Sequence, residues 1–429
     1  MEKIIAEKPA LKSVSEMAEN LISSEIIKLA NEVNEKIKKG SKIYNLTIGD
    51  FNPNIFPIPE ELKNNIIEAY TENQTNYPPA NGLLELRKAI SGFLKTKGNI
   101  DYKEDQILIS GGGRPLIYAV YQALLDPEDT VVFPVPSWNN NHYCHIVSAK
   151  PIMLETKGEN NFMPTANEIK PYIKDATLIA LCSPLNPTGT AFSKEALTDI
   201  CNLVVEENLT RLNNKKPCYI LFDQIYWQLT YGETKHHNPV SLVPQIKDYT
   251  IFIDGMSKAF AGTGIRVGWG FGPKLIIDKM KSILSHLGAW SPKAEQVGAA
   301  RFLNNTSATD TYLDEFRLRI QKRLNAFYEG FITLKSMGHK VDAIAPQAAM
   351  YLTVKIDLKG FRTENGDLLK DTEDITKYLI NEASIALVPF RAFGASKESC
   401  WYRLSVGTTS MEDIDGFFSS LRTALGKLS

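Results

Sequence analysis

Between Gln106 and Gly272 short β-rich runs alternate with stretches of helical period. ILIS precedes a helical stretch from Leu116 to Leu125. VVFPV and TLIALC follow, the latter ahead of a helix from Lys194 to Glu207, and then come CYILFD, TIFID and VGWGFG. Strands separated by helices do not pair through tight hairpins, so the alternation predicts a mostly parallel sheet with helices on both faces. Lys274 to Leu287 and Lys293 to Leu303 read as further helices, and Thr311 to Ser336 as a long one. YLTVKID, IALVPF and YRLSV then lead into a closing helix from Met411 to Leu425, the pattern of a smaller α+β unit.

A chain of 429 residues is long for one core, and two domains are expected. The predicted fold class is α/β: a large domain over residues 51–304 with a mostly parallel central sheet flanked by helices, plus a smaller α+β domain from residues 1–50 and 305–429. Residues 1–50 hold an amphipathic helix, roughly Ser24 to Lys38, and an early strand at Ile43 to Ile48. That is too little to fold alone, so it is expected to join the carboxyl-terminal part, with residues 1–15 as an arm.

The formal net charge is -1, which argues against a broad nucleic-acid footprint, and the short basic runs read as solvated faces. MEKIIAEKPALKS lacks the apolar stretch of a secretory signal, and no run of about 18 apolar residues is present to span a bilayer. A cytoplasmic location without membrane partners is expected. Cys144, Cys182, Cys201, Cys218 and Cys400 are odd in number and scattered, as reduced thiols are. His142, Cys144 and His145 form one cluster without a second pair at ligand spacing, so no metal is expected.

The segment YTIFIDGMSKAFAGTGIRVGWG, Tyr249 to Gly270, sets Lys258 just past the apolar run Ile251, Phe252 and Ile253. Open α/β sheets bind ligands at that end of their strands. Burial and a nearby cation both disfavour an ammonium, and a neutral amine attacks carbonyl carbon. Arg266 offers the like charge and also a fork for phosphate. An aldehyde carrying a phosphate, pyridoxal 5'-phosphate, is the ligand these groups fit. Gly262, Gly264, Gly268 and Gly270 imitate a dinucleotide fingerprint, but that motif opens a helix, whereas Ile265 to Phe271 alternates like a strand.

Other segments supply matching groups. Ser110-Gly111-Gly112-Gly113-Arg114 follows ILIS and opens a helix, which makes an anion site of bare N–H groups. Trp138 stands in PVPSWNNN, and Asn186 stands in SPLNPTGT after TLIALC. Asp223 ends CYILFD, where a carboxylate has little structural reason to be, and Tyr226 follows three residues later. Arg403 lies in WYRLSVGTT, Gly49 in LTIGD and Tyr77 in TNYPPANG. Together with Lys258 these segments, in chain order, resemble the class I/II aminotransferases of the aspartate aminotransferase fold type (fold type I), from about Ile43 to Leu425.

The resemblance implies a role for each residue. Gly112, Gly113, Arg114, Ser257 and Arg266 surround the cofactor phosphate. Trp138 stacks on the pyridine ring, while Asn186 and Tyr226 reach the phenolic oxygen, with Pro187 a candidate cis proline. Asp223 holds the ring-nitrogen proton. Arg403 grips the substrate α-carboxylate beside Gly49 and Asn186. Tyr77 reaches the neighbouring subunit's phosphate, which implies a homodimer with shared sites. Trp290 either faces the partner's site or packs in the core. Arg114 either meets the phosphate or reads a substrate's distal carboxylate. Gln224 stands where the family often has glutamate, a tolerated departure because that side chain is not part of the chemistry. Gly255 stands where many members carry serine, so phosphate contact is thinner at Gly255.

The implied activity is a ping-pong aminotransferase with Lys258 and Asp223 catalytic, acting on an amino acid and a 2-oxo acid with dicarboxylic substrates, aspartate or glutamate, foremost. An aromatic or broad-specificity aminotransferase, and a pyridoxal phosphate-dependent C–S lyase, share the same scaffold. A regulator on this fold would need a DNA-binding extension, for which the amino-terminal arm has no room.

Overall fold

The computed structural model describes residues 13–21, 25–212 and 215–429. Its strands are β1 (Tyr44–Asn45), β2 (Ile107–Ser110), β3 (Thr130–Val135), β4 (Lys150–Glu155), β5 (Ala176–Cys182), β6 (Tyr219–Asp223), β7 (Thr250–Gly255), β8 (Gly268–Phe271), β9 (Val341–Ala343), β10 (Tyr351–Ile356), β11 (Ile385–Ala386), β12 (Val388–Pro389) and β13 (Trp401–Ser405). A seven-stranded sheet runs in the order β2-β8-β7-β6-β5-β3-β4. Only β8 is antiparallel to its neighbours; the β7, β6, β5, β3 and β4 pairs are parallel. The fold is thus α/β with a mostly parallel central sheet, as the alternation predicts.

Successive residues of a strand face opposite sides, and the two faces have separate cores. Ile220, Phe222 and Phe252 pack on one side with the helices Leu84–Gly98 and Lys194–Thr210. Leu221, Ile251 and Ile253 pack on the other with Gly113–Leu124 and Lys274–Leu287. Phe252 and Phe271 stack at 4.6 Å across the antiparallel pair. Truncating either to alanine costs about 3–5 kcal/mol.

A four-stranded antiparallel sheet, β12-β13-β10-β9, packs its own core against the long helix Thr306–Ser336. Leu46 and Phe51 belong to that core, and β1 pairs in parallel with β11. Both early strand and long helix differ from their sequence-based bounds, for local reasons. Asn45 Oδ1 accepts from Thr47 N–H and its hydroxyl, which ends β1 after two residues instead of continuing to Ile48. Asn305 caps the long helix by accepting from Ala308 N–H, so the helix starts at Thr306, five residues before Thr311. The early helix spans Glu25–Lys38; Ser24 and residues 1–12 of the expected arm lie outside the described residues. No helix of the described residues is long and apolar enough to cross a membrane.

Candidate active site

The carboxyl ends of β5, β6 and β7 open onto a cavity of about 550 Å³ that the four-stranded sheet closes from the other side. Its sheet-side wall carries Asp223 and Lys258. Asp223 ends β6 and pairs in register with Cys182 of β5. Burial lifts its carboxyl to about 6, against the pull of the Ile225 N–H that Asp223 Oδ1 accepts at 3.0 Å. Lys258 sits in the one-turn helix Met256–Ala259 directly after β7, and its Nζ donates to the Gly49 carbonyl at 2.7 Å. Burial lowers its amine to about 8, with Asp50 opposing and Arg403, Arg114 and Arg266 adding to the fall. Arg266 is therefore the least of the three like charges, where the sequence alone pointed to it first.

The glycine turn before helix Gly113–Leu124 is shaped around Arg266. Gly112 has φ 104°, and a Cβ on it would come within 2.2 Å of Arg266 Nη2. The Arg266 guanidinium donates to Thr263 O at 2.7 Å and Gly111 O at 2.6 Å, so the cation is pinned against the turn. Gly113, Ser257 and Arg266 line the cavity here, and first-turn N–H groups with an arginine fork suit a phosphate. Arg114 lies beside them with its guanidinium 5.3 Å over the Trp138 ring, and both face the cavity.

Arg403, on β13, is 1% exposed. It donates through Nη1 to Asn186 Oδ1 at 3.0 Å and through Nη2 to Thr47 O at 2.6 Å, while its buried Nε has no partner. The rings of Tyr351 and Phe393 lie 4.7 and 5.0 Å from the guanidinium. Among the described residues no carboxylate is within ion-pair distance of it. An uncompensated buried cation is costly, and its persistence beside a cavity marks a place for an anion. Gly49 completes the wall: a Cβ there would lie 3.0 Å from the Tyr351 hydroxyl and 3.5 Å from Arg403 Nη1.

The structure thus gathers Gly49, Gly113, Arg114, Trp138, Asn186, Asp223, Tyr226, Ser257, Lys258, Arg266 and Arg403 around one cavity, with Gly112 directly behind Arg266. The Asn186–Pro187 bond is cis. Tyr77 stands apart: it is 81% exposed and packs edge-on against Trp290 at 5.2 Å, outside this chain's cavity. Sequence reasoning passed over Asp50, Ile26 and Tyr351, which also line the cavity. Asp50 adjoins Gly49 in LTIGD and was detectable as an acid in an otherwise apolar segment. Tyr351 opens an apolar strand and carries no local sign of its position.

Residues 41–421 match the model of the family described as aminotransferase class I and II. A probable aspartate/prephenate aminotransferase of Rickettsia felis is 30% identical over 378 residues, which cover 87% of this chain and 88% of that protein. An aspartate aminotransferase of Bacillus subtilis is 30% identical over 356 residues, covering 82% of this chain and 85% of that one. Among solved structures, the aspartate aminotransferase of Rhizobium meliloti aligns with a TM-score of 0.87 at 25% identity, covering 97% and 99% of the two chains. That of Thermus thermophilus with maleate aligns with a TM-score of 0.84 at 25% identity, covering 96% and 100%.

Proposed function

The chain belongs to the class I and II aminotransferases, a pyridoxal phosphate-dependent class, and on that premise we propose that its cavity holds this cofactor and works preferentially on dicarboxylic amino and 2-oxo acids. The residues fit the group. Gly112, Gly113, Ser257 and Arg266 would hold the phosphate, Trp138 would stack on the ring, Asn186 and Tyr226 would meet the phenolic oxygen, and Asp223 would meet the ring nitrogen. Bound there, the cofactor supplies an aldehyde for amines and a ring that takes up electrons.

Lys258 would bind the aldehyde through its amine and, as a free amine, would take the proton from the substrate Cα. Its burial suits both tasks, because an amine lowered to about 8 is neutral in a useful fraction near neutral pH. Asp223 as a carboxylate keeps the ring nitrogen protonated. Arg403 forks onto the α-carboxylate beside Gly49 and Asn186, which orients the Cα–H toward Lys258. Arg114, its guanidinium over the Trp138 ring, meets the distal carboxylate. Among the described residues, those of 51–304 form the cofactor-holding domain, and those up to 50 with 305–429 form the smaller one that brings Arg403. Tyr77, exposed and remote from its own cavity, serves the site of a second copy in a homodimer.

The observation that carries this reading is the buried Arg403, without an acid partner among the described residues, across one cavity from the lowered amine of Lys258. The test is a half-reaction. Cofactor-loaded protein given aspartate alone should convert to the aminated cofactor, release one equivalent of 2-oxo acid and stop until a second 2-oxo acid is added. Continuous product release with the aldehyde form retained would make the protein a lyase instead.

A further inference from the structure

We infer that Tyr351 is a positioning residue for amino transfer: its hydroxyl donates to that of Tyr226 and thereby turns the Tyr226 proton into the cavity. This rests on the proposed function, because it concerns the hydroxyl assigned to the cofactor's phenolic oxygen. Tyr351 opens β10, is 2% exposed, and its hydroxyl lies 2.8 Å from the Tyr226 hydroxyl. Each hydroxyl has one proton, and the two share one hydrogen bond, so whichever donates leaves the other's proton free. For Tyr226 to donate into the cavity, Tyr351 must be the donor of the pair.

The surroundings favour that direction. Burial pushes the Tyr226 hydroxyl well above its ordinary value and that of Tyr351 less, while Arg403, 4.7 Å from the Tyr351 ring, lowers both, which makes the Tyr351 hydroxyl the better donor. Lys258 Nζ lies 5.9 Å from the centre of the Tyr226 ring, so the polarised hydroxyl and the reacting amine border the same space. Tyr351 is held in place by backbone contact: a Cβ on Gly189 would strike the Tyr351 carbonyl at 2.2 Å. The other ionisable groups facing this pair are Cys182 and Asp50, and those facing Lys258 are Asp50, Arg403, Arg114 and Arg266. None of them is altered in the variants below, so their effects cancel between proteins.

The experiment is a double-mutant cycle read in the visible spectrum. Cofactor-loaded wild type, Tyr351→Phe, Tyr226→Phe and the double variant are titrated with pH, and the midpoint of the Lys258-dependent absorbance is compared. Phenylalanine keeps the ring against Arg403 and removes only the hydroxyl. Polarisation strengthens a hydrogen bond by about 10–30%, so Tyr351→Phe should raise the midpoint by roughly 0.1–0.7 unit. A weaker bond to the phenolic oxygen leaves more negative charge to hold the proton on the Lys258 nitrogen. In the Tyr226→Phe background the same change should move the midpoint by less than about 0.1 unit, because Tyr351 acts through Tyr226. Equal shifts in both backgrounds, no shift in the wild-type background, or a downward shift would overturn the inference. Loaded wild type without any absorbance that Lys258→Met abolishes would contradict the proposed function itself, and this inference with it.

Discussion

The two walls of the cavity are built by opposite means. On the sheet side, Asp223 and Lys258 stand at strand ends with one hydrogen bond each, and burial moves the acid up to about 6 and the amine down to about 8. On the facing side, Arg403 is set among Asn186, Thr47, Tyr351 and Phe393, and a guanidinium so held keeps its charge despite burial. The first wall has groups whose protonation is adjustable near neutral pH, which proton transfer needs. The second has a fixed charge in a fixed orientation, which recognition of a carboxylate needs. On the proposed function, chemistry is placed where partners are few, and binding where partners are many.

The largest expected effect tests the adjustable wall. Lys258→Met should lower transamination by at least about 10²- to 10⁴-fold, the usual contribution of a positioned base, while the phosphate site still retains cofactor. A loss of only a few-fold would break the comparison, because the base would then have to lie elsewhere. The next effect concerns the rim. Arg114 lies over Trp138 and is not tied down as Arg403 is. A charge-assisted hydrogen bond contributes about 1.5–3 kcal/mol, so Arg114→Met should reduce kcat/KM for aspartate and glutamate by roughly 10- to 150-fold and leave phenylalanine and methionine nearly unchanged. Equal loss for all four amino acids would assign Arg114 to the phosphate instead.

The last effect, on stability rather than on rate, sharpens the comparison without any substrate. In cofactor-free protein the folded value of Lys258 lies below its ordinary 10.5, at about 8. The folded state then binds fewer protons than the unfolded chain between those values, so stability rises with pH across that window and the penalty is full below it. Lys258→Met should therefore be more stable than wild type at pH 7 by up to about 3 kcal/mol, with the difference vanishing near pH 10.5. Urea unfolding at pH 7 and pH 10 measures it. A constant difference at both would mean that burial does not set the Lys258 amine.

The adjustable wall was also the more legible one in the sequence. Lys258 and Asp223 follow runs of buried apolar residues, and a polar group ending such a run advertises the strand end and its ligand site together. The facing wall was legible only in part. Arg403 was found through the resemblance of WYRLSVGTT, because an arginine in a strand does not reveal whether it is buried. Tyr351 was missed because an aromatic residue opening an apolar strand reads as core, and only the approach of β10 to the segment that follows β6 brings its hydroxyl to Tyr226. In the fold, β4 went unread because it is an edge strand: KPIMLE is largely exposed and contains Pro151, which local reading takes for a loop.

The central claim is that one buried amine, that of Lys258, carries the cofactor. Borohydride reduction of the loaded protein, followed by proteolysis and mass mapping of the cofactor-bearing peptide, tests it most directly. The account predicts a single label, on Lys258 within GMSKAF. A label on another lysine, or none in protein that has bound cofactor, would contradict it.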